Sequence, residues 1–304
     1  MSNLVLYVIA VLIWGSTWLA IKFQLGPVAP AVSVAVRFAI AAALLFVYAA
    51  RRRLPLRFGA GGHGWLALQG LLMFGINYVT VYLSERTLPS GIVAVIFSLA
   101  VFFNLIGARL CFGTPIQRTA MAGALLGCGG VVLVFWPQIA DLSNTGTPVE
   151  GVVLATVSAL IASVGNIVAS RNHRAGQAVV PNTAWSMFYG ALFVGIYAMA
   201  TGERLAIDWS VTYIASLLYL SMFGSVVAFT AYLTLMKRIG PGKAGYSSVA
   251  IPIVALLLST LFESLRWQPL MIVGALLCLA GNLLVLQSGR AAVLRRLFSG
   301  GSAD

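Results

Sequence analysis

The stretch LIWGSTW places Trp14 and Trp18 four residues apart, on one face of a helix, with Ser16 and Thr17 beside them. Phe74, Tyr78 and Tyr82 recur at every fourth position with Asn77 adjacent, and Ser163, Asn166 and Ser170 follow one another at intervals of one turn. Ring faces hold apolar groups, while indole, phenol, hydroxyl and amide groups orient the rest by hydrogen bonds. Such residues suit the holding of a small amphipathic solute. Bond-making chemistry lacks its parts. Cys111, Cys128 and Cys278 stand far apart, His63 and His173 fall in intervening loops, and none has a catalytic partner at useful spacing. No CxxC, HExxH, GxSxG or phosphate loop occurs, so no enzyme, metal centre or cofactor is expected.

The elements that carry these residues follow from composition. Of 304 residues, 60% are hydrophobic and 9% charged, with a mean hydropathy of +0.97. Soluble domains carry about 25% charged residues, so this chain is expected to be an all-α integral membrane protein. Cutting at clusters of polar residues, Gly and Pro leaves ten apolar stretches, at approximately 4–23, 31–50, 64–84, 90–110, 119–136, 149–169, 182–200, 211–236, 244–261 and 269–287. Stretches of about 20 residues cross a ~30 Å hydrocarbon layer at 1.5 Å per residue. The first stretch lacks the basic flank and small-residue cleavage site of a signal peptide.

The net charge of +12 raises the question of a nucleic-acid partner, and its placement answers it. With ten spans and the N-terminus inside, 14 of the 19 Lys and Arg residues fall in cytoplasmic segments and 4 in outer ones, with Arg37 left inside a span. Six of the seven acids, among them Glu85 and Glu263, fall outside. This is an orientation signal that places both termini in the cytoplasm, and no nucleic-acid partner is expected.

The segment GALLGCGGVVLVF begins at Gly123, and GALLCLAGNLLVL begins 151 positions later at Gly274, with seven of thirteen positions identical. Five spans precede the outer linker at 141–148 and five follow it. Because five is odd, a duplicated unit must sit upside down, giving two inverted-topology five-helix repeats around a central cavity. The expected organisation is a first repeat at 1–140, the linker at 141–148, a second repeat at 149–289 and a cytoplasmic tail at 290–304.

The WGSTW of the first span, the run from Tyr82 through a short turn into the small-residue helix ending near Ala94, Pro252 in the ninth span and the paired GALL segments resemble the EamA-type members of the drug/metabolite transporter superfamily. The resemblance covers residues 4–287. It implies a ten-helix alternating-access carrier of the bacterial inner membrane, similar to exporters of aromatic and other neutral amino acids. Two departures set the halves apart: Val101 stands where the second half has Pro252, and Phe112-Gly113-Thr114 stands where the family commonly has an acid, kept in the second half as Glu263.

In a membrane helix, residues that lipid would not select are candidates for a substrate path. These are Trp14, Trp18, Asn77, Tyr78, Tyr82, Ser98, Phe102, Ser163, Asn166, Phe229, Tyr232 and Ser248. Other roles compete: interfacial anchoring for the tryptophans, helix packing for the Phe74-Tyr78-Tyr82 stripe, interhelical hydrogen bonds for span six, and packing or lipid contact for Trp185 and Tyr189. Pro252 is either a hinge or a static kink. Arg37 either snorkels outward to Glu85 or Glu263 or meets a substrate carboxylate. No Asp or Glu occupies the centre of a span, which favours a facilitator for small neutral or aromatic amino acids. The alternatives are a proton-coupled exporter of drugs or other metabolites, working through Glu85 or Glu263, and a channel, against which the absence of a ring of like charges argues. Beyond the solute and the bilayer, no obligatory protein partner is indicated.

Overall fold

The computed structural model describes residues 1–113, 115–140, 147–239 and 247–299, and these form helices joined by short connections, with no strand among them. Asp141, most of the 141–148 linker, Lys243 and the last five residues lie outside the described residues. In chain order the helices are α1 (Asn3–Lys22), α2 (Pro30–Arg51), α3 (Ala60–Glu85), α4 (Ser90–Phe112), α5 (Arg118–Ala140), α6 (Thr147–Arg174) and α7 (Val179–Ala200). Then α8 runs as Val211–Leu218, Tyr219–Val227 and Ala228–Ile239, followed by α9 (Ser247–Phe262) and α10 (Pro269–Ser299).

Local chemistry sets the ends. Ser2 and Ser210 cap α1 and α8 by accepting from the Val5 and Tyr213 amides, and Pro30 and Pro269 open α2 and α10, where a missing N–H costs nothing. Gly113, at φ +66°, ends α4 in a conformation that side chains with a Cβ disfavour. Among the described residues seven helices are long and apolar enough to cross a membrane, and α5, α9 and α10 contain shorter apolar stretches. Helix α6 reaches Arg174, past the expected end at 169, and α3 starts at Ala60. His173 and His63 therefore sit on terminal helix turns and not in the loops the sequence suggested.

Neighbour relations follow a rule. Helix α1 packs on α8 and α9, while α6 packs on α3 and α4; α2 packs on α8, while α7 packs on α3; and α2 meets α7, α4 meets α9 and α5 meets α10. Exchanging the first five helices for the last five reproduces this set of larger contacts, whereas the smaller contacts of α1 with α4 and of α2 with α3 have no counterpart of like size among the described residues. The α5–α10 contact is close from both sides: a Cβ added at Gly130 would stand 2.5 Å from the Gly274 carbonyl, and one at Gly274 would stand 2.5 Å from the Gly130 carbonyl. Glycine there lets two backbones touch, as small residues do in lipid-embedded helix pairs.

Two helices depart from regular geometry in matching places. Helix α3 widens into a π-helical turn at Gly70–Ile76, and α8 does so at Tyr219–Val227. Such turns rotate the helix beyond them and alter which carbonyls are spoken for, and they concentrate at functional sites.

Candidate functional site

Beyond its π turn, α3 presents Asn77, Tyr78 and Val81 to Thr17, Trp18 and Ile21 of α1 and to Phe97 of α4, and these seven residues enclose a cavity of about 50 Å³. The Trp18 and Phe97 rings meet edge to face at 5.2 Å, and Tyr78 packs its ring against Phe38 at 4.7 Å. Asn77 is anchored at both ends, donating to the Met73 carbonyl at 3.2 Å and accepting from Ser158 of α6 at 2.7 Å. The wall is thus aromatic and aliphatic with one fixed amide and the hydroxyls of Thr17 and Tyr78. It suits an apolar body with a polar end. A void of this size holds a water or two, well below the few hundred Å³ of an ordinary ligand site, so a solute enters only as the helices part.

Of the residues singled out in the sequence, Trp18, Asn77 and Tyr78 are brought together here. Others are placed elsewhere. Trp14 donates its indole N–H to the Gly224 carbonyl at 3.1 Å, on the π turn of α8, and packs against Phe229 and Tyr232, each at 5.2 Å, where α1 meets α8. Tyr82 is fully buried and donates to Gln24 Oε1 at 2.5 Å. Phe102 fills the space over Gly127 of α5, Ser98 turns back to the Val95 carbonyl at 2.6 Å where α4 breaks, and Asn166 donates to Asn104 at 3.4 Å between α6 and α4. Ser163 is buried on α6, Ser248 half-buried on α9, and Pro252 buried within α9. Of the twelve candidates, the nine other than Trp18, Asn77 and Tyr78 do not line this cavity. Trp185 and Tyr189 pack within the protein, donating to the Leu56 carbonyl and meeting His63 Nδ1, both at 2.9 Å.

Thr17, Ile21, Val81 and Phe97 complete the wall. Thr17 was visible as a polar neighbour of the tryptophans; the other three carry no signal, because an apolar side chain in a membrane helix reads alike whether it faces lipid or a cavity.

Behind the cavity lies a charged layer. Lys22, at the end of α1, is 3.7 Å from Glu263 Oε1, and the Ser90 amide at the start of α4 donates to both Glu263 oxygens at 3.1 and 3.0 Å. The Ser90 hydroxyl donates to Glu263, and Lys22 to the Glu85 carbonyl. One acid thereby ties the ends of α1, α4 and the segment after α9. Arg37 is only 2% exposed, with its guanidinium carbon 4.7 Å from the Tyr78 ring centre and 5.1 Å from that of Phe38. Its Nε and Nη1 have no hydrogen-bond partner, nor do the two carboxylate oxygens of the fully buried Glu85. Among the described residues Arg37 forms no ion pair, so the outward pairing with Glu85 or Glu263 expected of a snorkelling side chain is not made.

Toward the other side, α3, α6 and α7 are joined by an amide network, to which Arg171 adds a donor on Asn172 at 3.2 Å. Gln69 donates to Asn182 at 2.9 Å, Asn172 to Gln69 at 2.9 Å, and Asn182 to Gln177 at 2.8 Å. Satisfied buried amides of this kind fix helix register. Among the described residues no group of three His, Cys, Asp or Glu side chains is placed to hold a metal.

The profile of the EamA-like transporter family matches residues 1–136 and 149–287. The chain is 29% identical over 262 residues to "Uncharacterized inner membrane transporter YedA" of Escherichia coli (strain K12), covering 82% of this chain and 79% of that one. It is 25% identical over 288 residues to "Probable amino-acid metabolite efflux pump" of the same strain, covering 91% and 92%. A solved structure, "Crystal structure of protein", superposes with a TM-score of 0.68 at 19% identity over 96% of this chain and 98% of that one, which is a likeness of fold. The family description and the names of the two Escherichia coli relatives indicate a transporter rather than an enzyme.

Proposed function

This chain belongs to the EamA-like transporter family, and we propose that it carries small neutral or aromatic amino acids and related metabolites across the bacterial inner membrane by alternating access, as an exporter and facilitator. The observation that carries this reading is the cavity, whose wall joins Trp18, Phe97 and Tyr78 with the fixed amide of Asn77. Aromatic faces take the side chain of such a solute and the polar groups orient its other end. The name of the efflux-pump relative agrees with an amino-acid metabolite as cargo.

The architecture proposed for the cycle is ten spans in two inverted five-helix repeats, 1–140 and 149–289, with both termini cytoplasmic. The exchangeable neighbour pattern, the matched π turns and the reciprocal glycines of α5 and α10 support it. Inverted repeats give a carrier two related states, each repeat taking in turn the conformation of the other. The Lys22–Glu263–Ser90 tie closes the outer side, and Pro252, eleven residues before Glu263 on α9, is the proposed hinge.

Uptake of radiolabelled neutral and aromatic amino acids by liposomes containing the purified protein tests the reading. Saturable uptake without a pH gradient, weakened by Tyr78→Ala, is expected; no uptake of any of them by folded protein sinks this substrate class. A second reading, proton-coupled export, draws support from the Glu85 carboxylate, buried without a donor. It requires that an imposed pH gradient drive uptake and that Glu85→Gln abolish the drive.

A further inference from the structure

A lone cation sealed inside a membrane protein is expensive, and the cost is ordinarily met by an acid in contact or by backbone carbonyls. Arg37 has neither on its Nε and Nη1, although it lies one side chain behind the cavity wall. On one side it covers the ring of Tyr78, a wall residue. On the other, its Nη2 and the Cγ2 of Thr17, a second wall residue, stand 3.6 and 2.9 Å from the point where a Cβ on Gly224 would lie. The guanidinium therefore occupies the gap between Tyr78 on α3, Thr17 on α1 and the π turn of α8.

A second unspent donor stands in the same layer. Gln24 is 1% exposed, its Oε1 takes the Tyr82 hydroxyl at 2.5 Å, and its Nε2 has no partner. With the phenol donating to Oε1, the N–H₂ end of the amide is left without a partner. The acids are otherwise disposed: Glu263 is held by Lys22 and Ser90, and Glu85 makes no contact with the guanidinium.

We infer that Arg37 anchors the carboxylate of the transported solute, with Gln24 as an auxiliary donor, and that Tyr78 swings off the guanidinium to admit it. The inference rests on the reading of the cavity as the solute path and names the recognised group, a monocarboxylate. One unpaired guanidinium calls for one negative charge, and donors already desolvated by the protein favour an ionised acceptor over a neutral one. Glu85, at longer range, balances the charge when the site is empty.

The test is thermal stabilisation of the purified full-length protein in detergent by neutral amino acids and, in parallel, by their carboxamides, which keep the side chain and ammonium and lose the negative group. For at least one pair the acid is expected to half-saturate at a concentration tenfold or more below its amide. Arg37→Gln should bring that ratio to about one, and Arg37→Lys should keep part of it. Acids and amides that bind alike in the wild type, no stabilisation by any acid, or an unchanged preference in Arg37→Gln overturn the inference. Should Arg37→Gln not fold, the wild-type ratio and its reduction in Arg37→Lys decide. Liposome uptake is scored separately: an acid preference in binding without uptake leaves the subsite standing and removes the transport of that solute.

Discussion

Gly127 and Cys278 meet where α5 crosses α10, the thiol donating to the glycine carbonyl at 3.3 Å across 151 positions of sequence. That interval is the one between the two GALL segments, so each residue touches its own counterpart. The flanking pairs exchange places around this contact, Gly123 against Gly281 and Gly130 against Gly274, as the proposed pair of inverted repeats requires.

The first prediction follows from that reciprocity. Gly130→Ala and Gly274→Ala each drive a Cβ to 2.5 Å from the other residue's carbonyl. Each should destabilise by about 1–3 kcal/mol, and by similar amounts. Thermal denaturation in detergent measures both; a tolerated change at one position and loss of fold at the other would show that the faces are not equivalent.

Tyr78 and Tyr82 are one turn apart in sequence and separate in role. Tyr78 faces the cavity, whereas Tyr82 is tied to Gln24. Tyr78→Ala should lower kcat/KM for uptake about tenfold with the protein still folded, and Tyr82→Phe should act on stability, by about 1 kcal/mol, through the lost hydrogen bond. Kinetics and melting curves on both variants check the division; equal kinetic defects would place both side chains on the path.

The pair also shows what the sequence could disclose. Aromatic and amide groups in apolar spans stand out, which is why Trp18, Asn77 and Tyr78 could be singled out, and the composition made the all-helical membrane character legible. The Phe74-Tyr78-Tyr82 periodicity assumed a regular helix. The π turn at Gly70–Ile76 breaks that assumption, and Phe74 goes to Phe38 and Phe229 while Tyr82 goes to Gln24. Phe102 was misleading for another reason: a ring over Gly127 fills a groove that only the α5 backbone creates. Arg37 was visible as a misplaced charge, but its lack of an acid partner is a property of packing.

Glu263 binds the Ser90 amide and Lys22 together, so its loss should loosen the outer closure. In a background with the three native cysteines replaced, Val81→Cys reports on the cavity wall. An impermeant maleimide added from outside should label it several-fold faster when Glu263→Gln is present, since a half-buried charge-assisted contact is worth more than a fully exposed one. Unchanged labelling would mean that closure is set elsewhere.

Glu85→Gln removes charge without volume from the layer that holds Arg37. If Glu85 is the distant counter-charge of the empty site, the variant leaves Arg37 less compensated, and the ligand-free protein should melt lower than wild type. A bound carboxylate then replaces the lost negative charge, so half-saturation should fall about threefold or more and the ligand-induced rise in Tm should exceed that of wild type. Side-by-side melting curves with an amino acid and its carboxamide decide it. The opposite sign, weaker binding of both acid and amide, would instead put Glu85 against the solute's ammonium group, since that is the charge the two ligands share.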